Sequence, residues 1–154
     1  MTSKASIAGH PVHPMLVSFP IGLWITSFAA DVVFYFHRDW SNLLVISKFM
    51  IAAGCLGAIA AAIPGIIDWL SITDGAVKKI ADWHARLNII ALIIFAISLY
   101  FRMRVGAHWV NYNMRIPFLL SFLGVVLISI SGWLGGELTF KHGVGAAPKQ
   151  DLPE

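Results

Sequence analysis

This sequence predicts an all-α polytopic membrane protein, an antiparallel four-helix transmembrane bundle, and three observations carry that prediction. Of its 154 residues, 58% are hydrophobic and 12% charged, with a mean hydropathy of +0.76. Soluble domains run about 45–50% apolar and about 25% charged, and a chain this short has too little interior to hide the excess from water. Four apolar stretches are each long enough for a hydrocarbon core that takes about 20 residues to cross, and short polar segments separate them. The composition excludes a soluble globular domain, a disordered tail and a nucleic-acid module. The single cysteine, Cys55, sits in an apolar stretch and excludes an intramolecular disulfide or a cysteine-based zinc site.

Residues 1–14 read as an extended N-terminal segment. In Gly9-His10-Pro11-Val12-His13-Pro14 each histidine precedes a proline, which biases it away from the α region. In polyproline geometry His10 and His13 share a face about 9 Å apart, too far for one metal ion without a bend. The bundle follows over residues 15–135. Its spans run from Met15 to Phe36, from about Leu43 to Leu70, from about His84 to Phe101 and from Ile116 to Leu134. The first run is too long, and lacks the cleavage site, for a signal peptide. The connections are a turn at His37–Asn42, a longer segment at Ser71–Trp83 and a basic loop at Arg102–Arg115. Residues 136–154 form a tail, with Gly135-Gly136 ending the fourth helix and turning the chain back over the bundle mouth. No internal repeat stands out.

Ala53, Gly57, Ala61 and Gly65 recur every four residues, a small-residue stripe where a second backbone approaches closely, and Gly132 and Gly136 repeat the spacing. Pro20 and Pro64 each remove a helix hydrogen bond and predict kinks. Trp40 and Trp109 fall at one interface and Trp69, Trp83 and Trp133 at the other, as in aromatic belts, whereas Trp24 is deep.

Four spans put both termini on one side, together with Ser71–Trp83. The opposite side holds Arg38, Lys48, Arg102, Arg104 and Arg115 close to span ends; the terminal side holds Lys4, Lys78, Lys79, Arg86, Lys141 and Lys149, more spread out. Weighting by proximity to the spans predicts a cytoplasmic arginine side and periplasmic termini.

The chemistry-bearing groups gather on the terminal side. His10, His13, His84 and His142 join Asp68, Asp82, Arg86 and Glu137 there, contributed by four distant parts of the chain. Polar groups near membrane depth are costly and tend to be functional. His84 shares a helical face with Val77, Ile80 and Leu87, with Asn88 one turn on, and that face looks into the bundle. Asp82 and Arg86 have the spacing of an interfacial i, i+4 ion pair. Asp68 is placed to hydrogen-bond a histidine. Asp31, the one acid well inside a span, reads as a proton-path residue or as the partner of a neighbouring helix. His37 and His108 read as wet interfacial histidines beside arginines.

The segments GHPVHPMLVSFPIGLW, PGIIDW, WHARLN and GGELTFKHGVG occur in that order from about Gly9 to Gly145. They resemble the bacterial membrane family catalogued as domain-of-unknown-function family 2231. The resemblance implies a multi-pass inner-membrane protein with four helices and singles out His10, His13, His84, Glu137 and His142.

Three functions fit the residues. In the first, imidazoles from His10, His13, His84 and His142 ligate haem b near the terminal face for electron transfer to a periplasmic or membrane redox partner. Arg86, Lys78 or Lys79 then receive propionates, and the absence of Cys-x-x-Cys-His makes any haem noncovalent. In the second, the same histidines bind Zn or Cu with Glu137 or Asp68. In the third, the histidines and carboxylates form a hydrogen-bonded lid on a structural or interaction protein. No Ser–His–Asp or zinc-protease spacing is present, so a redox carrier or binding protein is expected over a hydrolase. The lipid bilayer is the expected partner, and nucleic acid is not.

Overall fold

A computed structural model of the chain describes residues 3–38, 40–104 and 114–146. Four helices account for most of it: α1 (Val12–Phe36), α2 (Asn42–Leu70), α3 (Gly75–Arg104) and α4 (Arg115–Phe140). All four are long and apolar enough to span a membrane, and large hydrophobic side chains such as Phe49, Leu56, Ile63 and Leu119 point outward along their lengths. In water such a surface would be unstable; in lipid it is the solvated face. The bundle is two hairpins. α1 packs most extensively on α2 and α3 on α4, while the α2–α3 and α1–α4 interfaces are thinner.

The chain enters through a small antiparallel ribbon, β1 (Ser6–Ile7) with β2 (His10–Pro11), joined by a two-residue turn at Ala8 and Gly9. Both turn residues have positive φ, 50° and 78°, as tight hairpin turns require. The extended segment ends at Pro11, three residues earlier than the sequence suggests. Val12 opens α1, so His13 and Pro14 lie in its first turn. First-turn N–H groups have no intrahelical acceptor, and a proline there breaks nothing. This moves His13 from a flexible strand onto a helix.

The ends of α3 and α4 also differ from the hydropathy boundaries. α3 begins at Gly75 rather than near His84, because Asp74 caps it: its carboxylate accepts the N–H groups of Ala76 (2.8 Å) and Val77 (3.1 Å). Val77 and Ala81 then bury against Ile72 and Leu138. α3 also runs past Phe101, carrying Arg102 inside the bundle instead of into a loop. α4 continues through Gly135 and Gly136 to Phe140, and the return of the chain is made at Gly143 and Gly145, with φ of 65° and 67°.

The stripe on α2 packs as expected. A Cβ at Gly57 would stand 2.8 Å from the Phe19 ring, and one at Gly65 equally close to His13, while Gly54 takes Trp24 against its backbone. On α4 the packing glycines are Gly124, under Phe95, and Gly135, under His84. Gly132 faces open space and Gly136 meets only Phe140 of its own helix, so that predicted stripe is not an interface. Trp40, Trp83 and Trp133 are exposed toward the surroundings, and Trp24 is buried. His108, Trp109 and Lys149 lie outside the described residues.

Candidate functional site

Of the four histidines expected at the terminal face, the structure brings two together. His13 of α1 and His84 of α3 stand with ring centres 6.3 Å apart and planes at 90°. Each is half-buried, and each is held the same way by the other helix of its own hairpin. His13 Nδ1 lies 2.7 Å from the Ala61 carbonyl, and His84 Nδ1 lies 2.8 Å from the Ser131 carbonyl. A carbonyl oxygen only accepts, so both rings carry their proton on Nδ1 and leave Nε2 as the lone-pair nitrogen. In both, the ring rests over a glycine four residues further on, Gly65 or Gly135, where a Cβ would come within 2.8 or 2.9 Å of it.

The two rings differ at Nε2. For His84 it accepts from Asn88 Nδ2 at 3.0 Å, and Asn88 also donates to the His84 carbonyl. The Ser131 hydroxyl accepts from His84 Nδ1–H at 3.1 Å and donates to the His84 carbonyl at 3.2 Å, tying ring and backbone to α4. The described contacts of His13 include no hydrogen bond to its Nε2. Among the described residues, one anchored imidazole is hydrogen-bonded at both ring nitrogens and the other at Nδ1.

The remaining sequence candidates lie elsewhere. His10 is exposed on the ribbon and its Nδ1–H donates to the Ala8 carbonyl at 3.0 Å. His142 is exposed beyond α4. Glu137 pairs with Lys141 at 3.1 Å on the surface. Among the described residues Asp68 makes no hydrogen bond to a histidine. Its carboxylate accepts from the Ser3 hydroxyl and from the Lys4 (2.8 Å) and Ala5 (3.2 Å) N–H groups, so it pins the N-terminal strand to the end of α2. Asp82 accepts from the Trp69 indole N–H at 2.7 Å and makes no ion pair with Arg86, which lies over the Trp83 ring. Lys78 donates to the Trp69 carbonyl and covers its ring. Lys79 is exposed. His37 is exposed and stacked on Trp40, as expected of an interfacial histidine. Among the described residues no three His, Cys, Asp or Glu side chains come together in an arrangement that could hold a metal ion.

At the opposite end, Asp31 meets Arg102 in a bidentate pair at 2.5 and 2.9 Å, both side chains fully enclosed. The sequence offered Asp31 but set Arg102 in a loop, because hydropathy averaging ends a span at the first cluster of cations. Ser131 and the carbonyl of Ala61 were likewise not legible as site groups, since backbone acceptors leave no mark in a sequence.

A family model described as predicted membrane protein, DUF2231, matches residues 9–148. The chain belongs to that family. The DUF2231 match spans all four helices and both anchored imidazoles, and it agrees with the resemblance carried by the four sequence segments. Comparison with curated proteins gives no match, and neither does comparison with solved structures. This DUF2231 chain is an integral membrane protein whose spans sit in a lipid bilayer.

Proposed function

We propose that His13 and His84 would hold a noncovalently bound haem b, and that the chain is a membrane electron carrier. The observation that carries the reading is the matched pair of imidazoles: one from each hairpin, each with Nδ1–H fixed by a carbonyl and Nε2 as the donor nitrogen. Ligating histidines are oriented in this way by a partner on the other nitrogen. The two ring centres lie 6.3 Å apart, close enough for both imidazoles to serve one bound group. Two imidazoles complete a haem iron, whose macrocycle supplies the other four nitrogens, whereas a tetrahedral Zn or Cu site needs further protein donors. The bound haem would supply one-electron chemistry. The chain's own residues hold both rings in the interface between hairpins, and Asn88 would have to release His84 Nε2 for that ring to serve as a ligand. Arg86 and Lys79, exposed near this end, are the cations available to propionates.

The reading extends to placement. Arg38, Lys48, Arg104 and Arg115 lie near the helix ends opposite the histidines, which favours a cytoplasmic location for that end. The termini and the imidazole pair then face the periplasm of a bacterial inner membrane, toward a redox partner on that side.

One observation favours a second reading. With Asn88 on Nε2, the His84 ring is satisfied without any ligand, as in a purely structural lock between α3 and α4. The visible spectrum of protein purified in detergent from haem-replete cells separates the two. A Soret band lost in both His13→Ala and His84→Ala supports haem ligation. Colourless protein whose variants only melt earlier supports the lock.

A further inference from the structure

The two hairpins bury the same register of positions. Pro20, Trp24, Ser27 and Asp31 are buried in α1; the residues seventy-one places on, Ala91, Phe95, Ser98 and Arg102, are buried in α3. Leu44, Ser47, Ile51, Gly54, Ala61 and Asp68 are buried in α2 or at its ends. The residues seventy places on, Met114, Pro117, Ser121, Gly124, Ser131 and Leu138, are buried in or beside α4. Pro64 and Ile128 are departures, as are Val77 and Ala81, whose counterparts Ser6 and His10 are exposed on the ribbon; the counterpart of Phe34 lies outside the described residues.

The contacts inside each hairpin repeat at the same offsets. Trp24 packs on Gly54 as Phe95 packs on Gly124. Ser27 donates to the Ser47 carbonyl at 3.1 Å, and Ser98 to the Pro117 carbonyl at 3.4 Å. His13 over Gly65 on the Ala61 carbonyl matches His84 over Gly135 on the Ser131 carbonyl. Between hairpins, equivalent residues meet one another: His13 with His84, Trp24 with Phe95, and Asp31 with Arg102.

Residues that meet their own equivalents lie on a two-fold axis, here one running along the bundle. Of the three axial pairs, only Asp31–Arg102 differs in kind, and it differs by sign of charge. Every guanidinium N–H is used: Nε on Ser98, one terminal nitrogen on Asp31 and Ser47, the other on Asp31 and Ser121. All four helices contribute to this closure, so no polar atom of Arg102 is left for a ligand.

We infer that the chain is a duplicated helical hairpin closed about a pseudo-two-fold axis, and that the Asp31–Arg102 pair selects its partner surface. It joins the first repeat to the second and rejects pairing of like repeats between two copies of the chain. A first repeat set against the first repeat of a second copy would bring Asp31 onto Asp31; two second repeats would bring Arg102 onto Arg102. Either leaves like charges buried and unpaired, the costliest state for an ion in an apolar interior. A single polar pair fixing which helices associate is the best-attested role of buried charge.

Charge reversal in the full-length chain tests it. Asp31→Arg and Arg102→Asp each lower Tm by about 10 °C or more in detergent, because each buries like charges. Combining both in one chain returns Tm to within a few degrees of wild type, with the wild-type mass by light scattering. Co-expressing the two single variants under different affinity tags recovers protein as a mixed pair, since each chain's repeats then match those of the other. Single variants as stable as wild type would overturn the inference. So would failure of both the combined variant and the co-expressed pair to recover.

Discussion

Trp24 and Phe95 stack with ring centres 4.3 Å apart and planes 11° from parallel, each pressed against the backbone of a glycine on the neighbouring helix. The stack holds the two hairpins together between the imidazole pair and the Asp31–Arg102 pair. Trp24, Phe95, Ile51, Ala91 and Ile128 form the central core cluster. Truncating a buried aromatic to alanine removes its dispersion contacts and leaves a void, at a cost of about 3–5 kcal/mol. Trp24→Ala and Phe95→Ala should each destabilise the fold by about 3 kcal/mol. The double variant should cost less than the two together, because each single change already breaks the shared contact. Denaturant unfolding of the four proteins in one detergent measures this.

The glycines separate packing from permissive positions. Gly65→Ala and Gly135→Ala push a methyl group into the His13 and His84 rings and should displace them, weakening any ligand the rings hold. Gly132→Ala meets open space inside a helix and should raise stability by about 0.5–1 kcal/mol through the lower backbone entropy of alanine in the unfolded chain. Melting temperatures of the three variants, with the visible spectrum of each, read both effects. Equal behaviour of the three would contradict the packing described above.

Ligand loss should follow the geometry of the pair. His13→Ala and His84→Ala should each abolish a haem spectrum, whereas His10→Ala, His142→Ala and His37→Ala should leave it unchanged, since those rings are exposed and make no described contact with the pair. Asn88→Ala should strengthen haem retention by freeing His84 Nε2. A structural role for that hydrogen bond predicts the reverse, an earlier melt with no spectral change. Absorbance against protein concentration across the set decides between them.

Acid should weaken the cap of α3. The N–H groups of Val77 and Ala76 hold the Asp74 carboxyl below its ordinary value of 3.8. A carboxylate depressed in the folded state stabilises fully above its unfolded pKa, and that contribution fades as pH falls through the lower folded value. The melting-temperature difference between wild type and Asp74→Ala should therefore be constant at neutral pH and shrink below about pH 4. Asp74→Asn keeps a capping oxygen and should fall between them, without the pH dependence.

The sequence by itself determined that the chain lives in a bilayer, crosses it four times as helices and carries its imidazoles mainly at one end. Composition and length decide these, because the transfer cost of apolar residues from lipid to water depends on residue type and not on neighbours. It also placed the small-residue face of α2, where the spacing of glycine and alanine is itself the signal. Which residues meet was decided only by the tertiary structure. A span surrounded by lipid is apolar on every side, so its inward face leaves little periodic trace. The helical face of His84 was legible, but that His13 is its neighbour was not, nor was Arg102 distinguishable from its loop neighbours. The duplication stayed hidden for a related reason: equivalent sites need only the same burial and shape. Trp24 answers to Phe95, Ala61 to Ser131 and Asp31 to Arg102, pairs that share a place in the packing and little in side-chain chemistry.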